Sequence, residues 1–131
     1  MIVVDASAVV ELLLQTHVGK KVEARVLVPN EQMNAPHLLD VEATQALRRL
    51  TQLKSITASR GKEALSDYAA LAIRRAGHLD FLDRMWKLRE NVSAYDASYV
   101  ALAEALDAPL VTCDGKLARS QGHRAKIELI E

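Results

Sequence analysis

With one cysteine in 131 residues, Cys113, the chain can form no disulfide within itself and no multi-cysteine metal site. A lone thiol fits a reducing compartment, so a cytoplasmic protein is expected. Aromatic residues are also scarce, at 4%. The apolar half of the chain is therefore carried by Ala, Leu and Val, which suits helices packed around a small sheet. Net charge is lacking too. Seventeen basic residues balance seventeen acidic ones, so any basic footprint for nucleic acid must be local. No repeat, low-complexity tract or long linker interrupts the chain, and its length suits one domain spanning residues 1–131. The opening residues carry no basic stretch, and Asp5 and Glu11 interrupt their apolar run. Neither a signal peptide nor a membrane span is expected.

The hydropathy pattern alternates between two periods. Short β-rich runs are expected at residues 1–4, 33–35, 71–76, 108–112 and 126–130. Helices are expected at about 5–14, 16–28, 36–53, 57–70, 79–90, 93–106 and 114–119. Pro36 is placed in the first turn of its helix, and a break is expected near Gly19. Strands alternating with helices argue for a three-layer α/β fold with a mainly parallel sheet. In such sheets ligands sit beyond the carboxyl ends of the strands.

Four acids occupy awkward places. Asp5 closes the run Ile2-Val3-Val4, and Asp114 follows Leu110-Val111-Thr112-Cys113. Glu42 interrupts the stripe of Leu38, Leu39, Ala46, Leu47 and Leu50. Asp96 lies in the first turn of a helix apolar nearly all round. Each has an ordinary alternative. Asp5 or Asp114 could cap the helix it precedes, and Ser93-Ala94-Tyr95-Asp96 matches a capping pattern. Glu42 could sit at the stripe's edge and pair with Arg49. Taken together, four converging carboxylates would repel one another without a counter-charge. Oxygen donors with no His or Cys pattern favour Mg²⁺ or Mn²⁺ over zinc. Such an ion suits phosphodiester chemistry.

These residues resemble the PIN-domain family, and especially the VapC-type toxin ribonucleases. The resemblance rests on Ile2-Val3-Val4-Asp5-Ala6-Ser7, on Leu39-Asp40-Val41-Glu42, on Tyr95-Asp96-Ala97, and on the segment from Leu110 to Arg119. It implies a five-stranded parallel sheet flanked by helices. It implies metal-dependent endonucleolytic cleavage of RNA, leaving a 5′-phosphate and a 3′-hydroxyl. Asp5, Glu42, Asp96 and Asp114 would hold one or two Mg²⁺ or Mn²⁺ ions, with Ser7 and Thr112 as supporting hydroxyls. Gly115 and Lys116 stand where some relatives carry a further acid, which weakens the case for a second ion. The resemblance also implies a homodimer, and a cognate antitoxin lying across a groove near the helices at 36–53 and 57–70.

Other residues have plainer readings. Leu50, Leu53, Leu65 and Tyr68 read as core, and Trp86 and Phe81 as helix packing. Arg48, Arg49, Lys54, Arg60 and Lys62 form one basic concentration. Arg74, Arg75, Arg84, Lys87 and Arg89 form another. Both read as solvated faces interleaved with Glu63, Asp67, Asp80 and Asp83, with RNA phosphates as the alternative. His37 is a weak candidate to touch RNA. Cys113 reads as a small core thiol. Two other functions are open: a binding-only protein of the same fold, and a phosphoryl-accepting receiver domain. The receiver would need an Asp after the third strand, where residues 71–77 offer none.

Overall fold

The computed structural model describes residues 1–131. β1 (Ile2–Val4), α1 (Ala6–Leu14), α2 (His17–Val26) and β2 (Met33–Pro36) open the chain. α3 (Leu38–Gln52), α4 (Ala58–Ala70) and β3 (Ile73–Ala76) follow. A 3₁₀ turn at Leu79–Phe81 leads into α5 (Leu82–Lys87), then α6 (Ala94–Leu106), β4 (Leu110–Thr112), α7 (Gly115–Ala118) and β5 (Ile127–Leu129).

The five strands form one sheet in the order β3-β2-β1-β4-β5, and every neighbouring pair is parallel. Parallel pairing needs a crossover between strands, and the helices supply it. β1 is central. The chain builds outward from it in one direction through β2 and β3, and in the other through β4 and β5. The strand order therefore switches between β1 and β4. That is where an α/β sheet opens a crevice at the strands' carboxyl ends.

Ile2, Val3 and Val4 are wholly buried, as are Leu110 and Val111 on the adjacent strand. Burial of β1 on both faces explains its unbroken apolar run. α6 packs across β1, β2 and β4. Its residues Ala97 to Ala103 are all buried, as expected for a helix apolar nearly all round. On α3 the inward stripe is Leu39, Ala43 and Leu47, with Leu38, Ala46 and Leu50 along its border.

Three local expectations change. Pro36 ends β2 rather than opening α3; its ring fixes a backbone angle that the last residue of a strand also accepts. Gly19 does not break α2. It lies in that helix's first turn, where Thr16 caps it through the Gly19 amide at 2.9 Å. A Cβ at Gly19 would sit 1.9 Å from the Glu11 carbonyl oxygen, so glycine there lets α1 and α2 approach closely. The helix expected over 79–90 divides into the 3₁₀ turn and the short α5. Within it Phe81, Met85 and Leu88 pack against the core, while Trp86 is 67% exposed. Trp86 is thus not a packing residue.

No helix is long and apolar enough to cross a membrane.

Candidate active site

Asp5 leaves β1 and caps α1, accepting a hydrogen bond from the Ala8 amide at 3.0 Å. It is only 6% exposed. Two hydroxyls also donate to it: Ser7 Oγ to Oδ1 at 2.7 Å, and Thr112 Oγ1 to Oδ2 at 2.5 Å. Each hydroxyl is itself held by the segment after β4. The Cys113 amide donates to Ser7 Oγ at 2.9 Å, and the Asp114 amide to Thr112 Oγ1 at 3.0 Å. Ser7 and Thr112 thus tie the turn that carries Asp114 to the carboxylate of Asp5. Asp114 caps α7 through the Lys116 and Leu117 amides.

The capping readings of Asp5 and Asp114 are therefore correct, and they do not compete with a role in the site. In each, one carboxylate oxygen satisfies a helix end, and both residues follow the carboxyl ends of adjacent strands, β1 and β4.

Asp96 rises from the first turn of α6, with its amide bonded to Ser93 Oγ at 3.1 Å. Here the cap is Ser93, and the Asp96 carboxylate makes no hydrogen bond to the protein. Glu42 is half-buried at the edge of the α3 stripe. It does not pair with Arg49. It accepts a 2.6 Å hydrogen bond from the Tyr99 hydroxyl of α6, a contact with no trace in the sequence pattern.

Electrostatics bind three of these acids into one group. Burial pushes the Asp5 carboxyl above its usual range, and the charge of Asp114 adds to that rise. The hydrogen bonds from Thr112, Ala8 and Ser7 oppose it without cancelling it. Burial also raises Asp96, again helped by Asp114 and opposed by Lys116. Burial and the Glu42 hydrogen bond push the Tyr99 phenol far up, so it remains a donor. Burial, with the charges of Asp5 and Glu11, pushes the Cys113 thiol up to about 11. A thiol held protonated is a poor nucleophile, which agrees with its reading as a core group.

As placed, no three His, Cys, Asp or Glu side chains are gathered closely enough to hold one ion among them. Asp114 neighbours both Asp5 and Asp96, whereas Glu42 is held to one side by Tyr99. Their chemistry nonetheless fits a hard divalent cation. All four are oxygen donors, and two of them are raised by burial and by a like charge, the imbalance that a cation relieves.

A groove of about 880 Å³ opens beside the acids. Val10 and Glu11 of α1 line it, with Leu38, Val41, Glu42, Ala46 and Leu50 of α3. Ser7, Tyr95 and Cys113 close its end at the acid site. Leu53, expected in the core, also lines this groove and is 63% exposed. Tyr68 is buried as expected, and Leu65 packs against the core.

A second acid cluster lies on the other side of α3. Asp40 accepts from the Tyr68 hydroxyl at 2.5 Å and from Arg75 Nε at 2.9 Å. Arg75 also lies over the Tyr68 ring, 5.5 Å from its centroid. Burial raises the Asp40 carboxyl, but Tyr68, Arg75 and His37 outweigh it, and the net direction is down. The second basic concentration is largely engaged in such pairs, whereas in the first only Arg60 is. Arg60 meets Glu63, Arg84 meets Glu104 and Lys87 meets Asp83.

Comparison with known proteins places the chain. The family model for the PIN domain matches residues 2–122. The VapC ribonuclease Mb0985 of Mycobacterium bovis is 46% identical over 118 residues, covering 90% of this chain and 89% of its own. Ribonuclease VapC12 of Mycobacterium tuberculosis is 42% identical over 130 residues, covering 99% of each. The crystal structure of VapBC2 from Rickettsia felis, 14% identical, superposes with a TM-score of 0.72 over 100% of both chains. With the strand order and the four acids already described, these similarities settle the lineage: the chain belongs to the PIN-domain family, among its VapC-type ribonucleases.

Proposed function

We propose that this chain is a metal-dependent endoribonuclease and the toxin of a toxin–antitoxin pair. The observation that carries the reading is the Asp5, Asp96 and Asp114 group at the switch between β1 and β4. Burial and mutual charge leave it short of positive charge. Asp5, Glu42, Asp96 and Asp114 would hold Mg²⁺ or Mn²⁺. When bound, the ion orients a water, lowers its pKa and offsets charge on the reacting phosphate.

The chain's own residues set the frame. Ser7 and Thr112 fix both oxygens of Asp5, and through their amide contacts they keep Asp114 at a constant offset from it. Tyr99 holds Glu42 at the groove wall. Supporting groups of this kind orient ligands and tune their basicity. RNA enters from the groove side, where Arg49 and Gln45 line the wall. The same groove, apolar along α1 and α3, suits an antitoxin segment, and a homodimer fits the family pattern.

RNA cleavage by antitoxin-free protein with Mn²⁺ or Mg²⁺, against EDTA and Asp5→Asn, tests this. Cleavage is expected to need both the ion and Asp5. Equal cleavage by the Asp5→Asn and Asp96→Asn variants would remove the basis of the assignment. A folded protein that binds the ion yet cuts no cellular RNA would be the binding-only member of the fold.

A further inference from the structure

Trp86 is the chain's only tryptophan, and the fold leaves it out. Indole carries a large apolar surface that is normally buried. Here Arg84 docks α5 onto α6 through a two-pronged bond to Glu104, at 2.7 and 2.9 Å. Trp86 is two residues on, about 200° around the helix, and therefore faces away. Arg89 covers its ring at 4.7 Å from the centroid. A 3.0 Å hydrogen bond from Arg89 Nη1 to the Trp86 carbonyl holds that arrangement. Arg89 Nε also lies 3.8 Å from the Glu90 carboxylate, a long and solvent-exposed pair that an incoming phosphate can displace at little cost.

Arg89 is also the far wall of a groove of about 380 Å³. Glu90, Asn91, Ser93, Asp96, Lys116 and Ser120 are among its other lining residues. Asp96 belongs to the acid site, so this groove joins that site to the Arg89–Trp86 pair. Lys116 is exposed, has no ion pair within 4 Å, and lines the same groove as Asp96.

We propose that Trp86, Arg89 and Lys116 form a subsite that holds single-stranded RNA beside the acids. The inference rests on the ribonuclease reading and adds the residues that position its substrate. A base stacks on the indole and guanidinium pair, while Arg89 and Lys116 meet flanking phosphates. Single strands are held in this way, by cationic grooves with aromatic platforms that accept any base. Leu79 and Leu82 are exposed next to Trp86, at 79% and 51%. A second copy of the chain could cover the same face, and the experiment separates the two occupants.

The lone tryptophan reports directly. A short single-stranded RNA of mixed sequence is titrated into the full chain in EDTA at low salt, where no cleavage is needed. Tryptophan emission is expected to change as RNA binds. By anisotropy of labelled RNA, Trp86→Ala weakens binding about tenfold, and Trp86→Phe restores most of it. Lys116→Ala lowers the slope of log affinity against log salt by roughly 0.7 for each phosphate it had neutralised, and Leu79→Ala leaves affinity unchanged. RNA binding without an emission change, or unchanged affinity in Trp86→Ala, overturns the subsite. So does a shift in sedimentation equilibrium for both Trp86→Ala and Leu79→Ala with RNA affinity intact, which assigns the face to a second copy. These outcomes leave the nuclease reading standing, because metal-dependent cleavage and its loss in Asp5→Asn decide that reading separately. Failure of the wild-type chain to bind this RNA overturns the subsite alone, because cleavage with the ion present still decides the nuclease reading.

Discussion

Two aspartates on this molecule, the buried Asp5 and the half-exposed Asp40, each accept a hydroxyl hydrogen bond, yet their charges are treated in opposite ways. Asp40 has Arg75 at 2.9 Å, and its pKa falls. Asp5 has only hydroxyls and an amide for partners, with Asp114 as a like-charged neighbour, and its pKa rises. The first acid brings its cation with it and fastens α3 to α4 and β3. The second is short of one. A fold tolerates a buried carboxylate without a counter-charge only at a cost, and such places are where function concentrates. The difference between the two sites is that Asp40 has its counter-charge within the fold and Asp5 does not, which is the ground for the proposed metal site at Asp5.

The largest expected effect separates them by activity. Asp5→Asn and Asp96→Asn should lower RNA cleavage on the order of a thousandfold, while Asp40→Asn should leave the rate per folded molecule within a few-fold, as measured by initial rates on the same RNA. A smaller effect separates them by stability. Asp40→Asn should cost about 1 kcal/mol, or ~4 °C in thermal unfolding, because it removes the charge paired with Arg75 and leaves Tyr68 and Arg75 a weaker, neutral acceptor. Asp5→Asn should not lower the metal-free melting temperature, since an amide still caps α1 without carrying a buried charge.

The subtlest effect is on pH dependence in EDTA. Asp5 is raised above its ordinary value of 3.8, so its favourable term is present below that value and is lost as pH rises through the folded pKa. Asp40 is lowered from the same ordinary value, so its term is present above 3.8 and is lost as pH falls through the folded pKa. Melting curves across pH should therefore flatten on the rising side for Asp5→Asn and on the acid side for Asp40→Asn. Matching profiles for the two variants would erase the distinction.

Part of this contrast is legible in the chain itself. Asp5 and Asp114 follow uninterrupted β-rich runs, which places them at strand ends before any fold is known, and parallel strands bring such ends to one edge. The family resemblance rests on the same segments. Asp40 and Glu42, two residues apart on α3, cannot be told apart in this way. Their roles depend on Tyr68 and Arg75 in one case and on Tyr99 in the other, partners 28, 35 and 57 positions away.

The segment over 79–90 shows a different limit. It carries two apolar stripes at helical spacing, Phe81, Met85 and Leu88 on one side and Leu79, Leu82 and Trp86 on the other. Periodicity cannot say which of two such stripes faces inward. The Arg84–Glu104 pair decides it, and that pair again joins distant residues. Pro36 shifts by one element because its fixed φ suits the end of a strand as well as the start of a helix.

The most direct test of the central claim is thermal unfolding with and without Mn²⁺ for the wild type, Asp5→Asn and Asp40→Asn. The account predicts that the ion raises the melting temperature of the wild type and of Asp40→Asn, by about 2.7 kcal/mol of stability at a hundredfold excess over Kd, and leaves Asp5→Asn unmoved. An equal rise in all three proteins would contradict it, because the ion would then bind somewhere other than the acid group at the ends of β1 and β4.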